Sequence, residues 1–119
     1  MIRLLIAAFL IGHGLVHGIM FSLPYNAQAS ADLPYNLSHS WLLGTTRSLG
    51  LAVALAVTLA FVVVGAAFLG HVNWWPAATL VAAALSVGLL VLYFTRWWSV
   101  GIVISAAVAV VAWRVQQAA

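Results

Sequence analysis

Apolar residues run along this chain in four long blocks with polar breaks between them. The blocks extend from about Ile2 to Phe21, Ser48 to Leu69, Trp75 to Phe94 and Trp97 to Trp113. Each comes close to the roughly 20 apolar residues that an α-helix needs to cross a bilayer. Aromatic residues gather at their ends, where rings sit at headgroup level. Trp74, Trp75 and Trp113 mark one interface; Phe21, Trp41, Tyr93, Trp97 and Trp98 mark the other. Pro76 suits the first turn of the third helix, where its missing N–H is no loss.

The breaks differ in length. Gly70–Trp74 and Thr95–Arg96 are short links. Short links make consecutive helices antiparallel neighbours. The expected fold is all-α, a single domain over residues 1–119: an integral membrane four-helix up-down bundle with both termini on one side. The first break, residues 22–47, is much longer. Loops beyond about 12–15 residues are usually functional or disordered. The presence of Tyr25, Tyr35, Trp41, Leu42 and Leu43 favours an ordered one. It repeats LPYN at Leu23–Asn26 and Leu33–Asn36, a recurring turn, and Ser38–Leu43 is expected to lie flat at the interface.

Composition strengthens the membrane reading and narrows the chemistry. The 119 residues are 66% hydrophobic and 4% charged. A soluble domain carries roughly 25% charged residues, so the solvent here is mostly lipid. The formal charge of +3 comes from Arg3, Arg47, Arg96 and Arg114 against Asp32. Four scattered arginines are no nucleic-acid footprint, which needs clustered basic residues. There is no cysteine. Disulfides, thiolate nucleophiles and Cys-based metal sites are therefore excluded. Arg3 before an apolar run has the look of a signal peptide. His13 and His17 within that run favour a retained helix instead.

Small residues let membrane helices approach one another. Gly14 and Gly18 form such a stripe on the first helix, Ala52, Ala56 and Ala60 on the second, and Gly101 and Ser105 on the fourth. They read as helix–helix seams within one chain, with a homo-oligomeric seam as the alternative.

The most distinctive string is Ile11–Phe21, IGHGLVHGIMF. His13 and His17 are one turn apart on one helix face, shared with Gly14 and Gly18. Ile11, Leu15 and Ile19 point elsewhere, to lipid. Ionisable residues within a span normally face the bundle interior or a cavity. His13 lies roughly 12 Å below the long-loop interface, from the helical rise of about 1.5 Å per residue. Thr58, Ser86 and Ser105 fall in nearly the same layer, one on each of the other helices. His17 is shallower, nearer His39, Arg47 and Arg96.

Three readings fit this face. In the first, His13 hydrogen-bonds to serine or threonine and His17 to loop carbonyls, which satisfies buried polar groups. In the second, imidazole ligates haem iron, a chlorophyll-type magnesium, zinc or copper. A metal set would be His13, His17 and His39. In the third, a lipid, quinone or other hydrophobic ligand sits beneath the long loop. His13, His17, Tyr25, Tyr35, His39, Trp41, Arg47 and Arg96 would supply its contacts.

No span contains an acidic residue, so a carboxylate proton relay is not expected. There is no phosphate-binding glycine motif and no Ser-His-Asp constellation, hence no catalytic residues to name. Asp32 could pair with Arg47. His71 reads as an interface residue and Arg96 as snorkelling to lipid phosphates. With the N-terminus cytoplasmic, the arginines divide two against two between the faces. Arg3 and the α-amino group favour that orientation.

Arg3, GHGLVHG at Gly12–Gly18, Pro24, HSWLLG at His39–Gly44, Arg47 and WWP at Trp74–Pro76 together resemble the DoxX-like small four-helix bacterial membrane proteins. The resemblance implies a bacterial plasma membrane location. It also allows an accessory-subunit role, since some DoxX-like proteins are small subunits of membrane redox complexes acting on quinone. The expected function is an accessory subunit or hydrophobic-ligand binder in the lipid bilayer, with other subunits or a homo-oligomer as partners. The alternatives are a haem, pigment or metal carrier, then an oligomeric transporter or channel.

Overall fold

A computed structural model describes residues 1–22, 39–94 and 98–118, with the side chains of His39 and Thr45 excepted. Four helices carry the fold: α1 Ile2–Ser22, α2 Arg47–Leu69, α3 Trp75–Leu92 and α4 Trp98–Ala118. All four are long and apolar enough to cross a membrane. At about 1.5 Å per residue, even the shortest, with 18 residues, nearly spans a hydrocarbon core of about 30 Å. A two-residue antiparallel ladder, β1 His39–Ser40 with β2 Gly44–Thr45, precedes α2.

Pro76 lies in the first turn of α3, and Trp74 is the N-cap. The α2–α3 link turns sharply at His71, whose φ of 58° is unusual for a residue with a Cβ. Segment 39–45 is a hairpin rather than a flat interfacial stretch. It is tied to the end of α3: the Ser40 hydroxyl donates to the Leu92 carbonyl at 2.6 Å and the Trp41 indole to that of Val91 at 2.6 Å.

Helices adjacent in sequence pack together, and α1 and α4 meet only loosely. The α1–α2 seam is the closest. A Cβ added to Gly14 would come within 2.5 Å of Phe61 Cβ, and one on Gly18 within 2.6 Å of the Thr58 hydroxyl. Across it, the Thr58 hydroxyl lies 2.7 Å from the Gly14 carbonyl and 3.0 Å from that of Ala54. Arg3 closes the far end, donating to the Phe68 carbonyl with its guanidinium 4.8 Å from the Phe68 ring centroid. A cation suits the carbonyl end of α2.

Several expectations are corrected. The α2 seam does not run through Ala52, Ala56 and Ala60. Ala52 and Ala56 are exposed, and Ala60 is only half-buried. The buried face carries Ala54, Val57, Phe61, Val64 and Gly65 instead. It is offset because Gly14 and Gly18 accept larger partners, Phe61 and Thr58. Ile11 does not face lipid; its side chain lies where a Cβ on Gly65 would stand. Leu15 and Ile19 are exposed as expected. Phe21 and Tyr93 are no interfacial belt but core residues, 2% and 1% exposed. Their rings meet edge to face at 5.8 Å. The Tyr93 hydroxyl is kept satisfied by Thr46, lying 2.7 Å from both its carbonyl and its hydroxyl.

Gly14→Ala should therefore destabilise the fold by about 1–3 kcal/mol, because its neighbour is a Cβ that cannot swing away. Gly12→Ala, with nothing within 4 Å of the new carbon, should be nearly neutral or slightly stabilising. Unfolding of both variants in the same micelles reads the contrast; equal stabilities would refute the close seam.

Candidate functional site: the histidine–serine circuit and its groove

Helix spacing sets the site. His13 and His17 rise on one face of α1, with ring centroids 4.8 Å apart and nearly perpendicular. Nδ1 of His17 donates back to the His13 carbonyl at 2.9 Å. Its Nε2 lies 2.7 Å from the Ser86 hydroxyl on α3. Ser86 lies 2.8 Å from Ser105 on α4, and Ser105 lies 3.0 Å from Nε2 of His13. These four side chains form a closed circuit through α1, α3 and α4. Ser86 and Ser105 are fully buried, and His17 is 5% exposed. In hydrocarbon such groups find no water, so the protein must supply their partners.

Aromatic rings hold the imidazoles. Phe61 meets His13 edge to face at 5.0 Å and stacks on His17 at 6.4 Å. Phe9, one turn before His13, stacks on it at 6.1 Å. His17 is therefore not turned toward the loop. Both its nitrogens are spent inside the bundle.

Where α1 and α4 diverge, a groove of about 500 Å³ opens beside His13 and His17. Phe9, Val16, Met20, Leu90, Trp98 and Ile104 give it apolar and aromatic walls, and Gly12 and Gly101 give it room. Its size falls within the roughly 300–1,000 Å³ of small-molecule pockets. The α1–α4 seam stays open further along, in a second apolar groove of about 480 Å³ reaching Phe68, Trp75 and Val115.

The remaining candidates are placed as follows. Thr58 shares the layer but bonds across the α1–α2 seam rather than joining the circuit. Gly101 lines the groove and approaches Leu90. Trp41 does not face the histidines; it lines a separate shallow groove with Val91, Phe94 and Ile102. Arg47 begins α2 and is half-buried. Tyr25, Tyr35, Asp32, the LPYN repeats and Arg96 lie outside the described residues, as does the His39 side chain. Among the described residues no three metal-binding side chains cluster. A metal at His17 would have to displace a bond it already makes. The sequence singles out neither Phe9, Phe61 nor Leu90, and it marks Trp98 only as an interfacial aromatic. Phe9 was legible as the aromatic one turn from His13; Phe61, Leu90 and Trp98 come from other helices and carry no local signal.

The chain is thus a small membrane protein of four spanning helices with a buried polar circuit beside a lateral apolar groove. Comparison with protein-family models, curated proteins and solved structures returns no match.

Ser86→Ala should cost about 2–6 kcal/mol, since it strands both the His17 nitrogen and the Ser105 hydroxyl, at about 1–3 kcal/mol each. Adding Ser105→Ala should then cost less than Ser105→Ala alone, with a coupling of at least about 0.5 kcal/mol. A double-mutant cycle of unfolding in bicelles measures this. Strict additivity would mean that the circuit does not act as a unit.

Proposed function

We propose that this protein binds one hydrophobic molecule with a small polar head, of the lipid or quinone type, in the groove between α1 and α4. The carrying observation is the groove itself. Its walls are apolar, its size suits a small molecule, and His13 brings to its wall a ring with one nitrogen bonded to Ser105. The groove lies on the long-loop half of the bundle and opens sideways, so a ligand dissolved in the membrane enters without crossing water. No charged side chain of the described residues lines it, which favours retention over charge-driven transport. The site offers binding rather than catalysis.

An accessory-subunit role of the DoxX-like kind is compatible with this reading, because a subunit that holds a membrane-dissolved molecule can present it to a partner. The haem, pigment or metal reading is supported less. His17 has no nitrogen to give, and among the described residues no other histidine lines the groove.

Native mass spectrometry of protein extracted gently from its own membrane tests the groove. Wild type should retain one apolar molecule. Gly12→Leu, which fills the groove, should lose it with little change in thermal stability. Gly88→Leu, at an exposed glycine with open space around it, should keep it. Retention in the Gly12 variant would reject the groove as the site. An absorption spectrum of the same preparation should show only tryptophan and tyrosine; a stoichiometric Soret or chlorophyll band would replace this reading with the pigment one.

A further inference from the structure

The circuit has one consistent direction, and that direction sets what the groove can hold. A carbonyl oxygen only accepts, so Nδ1 of His17, 2.9 Å from the His13 carbonyl, carries a proton. A charged ring inside hydrocarbon is costly, so His17 is neutral and its Nε2 is a bare acceptor. Ser86 must therefore donate its single hydroxyl proton to that nitrogen, across 2.7 Å. Ser86 can then only accept from Ser105, at 2.8 Å. Ser105 has in turn committed its proton and can only accept from His13, at 3.0 Å. His13 accordingly carries its proton on Nε2, and its Nδ1 is a lone pair. The opposite direction fails at once: it would set a serine lone pair against the lone pair of His17.

Among the described residues Nδ1 of His13 has no hydrogen-bond partner, and it is not one of the atoms sealed from space without one. The ring lines the groove. On the footing that the groove is a ligand site, we propose that its occupant is a hydrogen-bond donor: an apolar molecule headed by a hydroxyl that donates to Nδ1 of His13. Heads that only accept, such as ethers, esters, ketones and oxidised quinones, face a lone pair there and are disfavoured, so the lipid-or-quinone class narrows to its hydroxyl-bearing members, alcohols and quinols. Leu90 and Ile104 line the groove around the apolar body, and Phe9 and Trp98 suit a flat or branched chain. Selectivity is imposed from a distance, because the proton position on His13 is dictated by the His13 carbonyl acting through His17, Ser86 and Ser105.

Farnesol and its methyl ether share one apolar body and differ in the donor. Both are offered together to the wild-type protein in detergent, and the bound species are weighed by native mass spectrometry. Farnesol should be favoured roughly three- to tenfold, the worth of one hydrogen bond. Equal occupancy, or a preference for the ether, overturns the donor rule while leaving the groove reading intact; failure of both to bind overturns both. His13→Phe keeps the aromatic contacts and should abolish the preference. Should that variant not fold, nitrogen NMR of the wild-type imidazoles decides independently. His13 protonated on Nε2 and His17 on Nδ1 is the expected result, and a proton on Nδ1 of His13 refutes the proposal.

Discussion

Four polar side chains placed in hydrocarbon must satisfy one another, and the bundle is arranged around that requirement. Each unsatisfied group at such a depth costs several kcal/mol, roughly the scale of a whole small protein's margin of stability. His13, His17, Ser86 and Ser105 meet the demand with a closed circuit that draws on three helices. Among the described residues, the His13–Ser105 bond is the one hydrogen bond joining α1 to α4. The circuit therefore fixes the rotation of α1, α3 and α4 about their axes, because turning any of them strands a donor or an acceptor. Apolar packing alone specifies rotation weakly, since lipid tails are as apolar as the helix faces.

The bundle is tight on one side and open on the other, and the same helix causes both. On α1, Gly14 and Gly18 bring α2 so close that Phe61 and Thr58 fill the space of missing side chains. The neighbouring face presents His13, whose reach to Ser105 holds α4 at imidazole length. A pair of helices propped apart by a ring cannot close the layer above it with residues as small as Gly12 and Gly101. The groove is the remainder. Of α4, only Ser105 and Ala112 are buried, so the helix is held mainly by α3 and by this one polar strut.

The architecture was legible because bilayer thickness writes itself into sequence: four apolar blocks, short links and interfacial aromatics suffice for the spans and their antiparallel order. Depth was legible too, since the helical rise is constant; it placed Thr58, Ser86 and Ser105 level with His13. Azimuth was not. Whether α2 turns Ala52 or Ala54 inward depends on the partner surface: the alanine stripe at four-residue spacing has the pattern of a seam, yet the face with Phe61 is the one that packs. His17 illustrates the same limit. Its depth pointed to the loop, but its own helix supplied a carbonyl one turn back and α3 supplied Ser86. Phe21 and Tyr93 have the composition of an aromatic belt, yet the Thr46 groups let the tyrosine hydroxyl go inside.

The glycines divide by what stands opposite them. Gly14 and Gly18 face a helix and serve approach; a Cβ on Gly12 would meet none of the described residues within 4 Å, and it borders the groove. One step along the chain is about 100° around the helix, so GHG places the two uses on either side of a histidine that borders both. Gly101 does a little of each, lining the groove while a Cβ there would meet Leu90 at 2.8 Å. A histidine needed only for packing would be better served by flanking residues that fill the space. The open side of His13 costs dispersion contacts along the groove walls, and a bundle this small has few to spare. An occupant that restores those contacts and caps the remaining nitrogen would stabilise the folded state, and this gain would tie the fold to the proposed binding role.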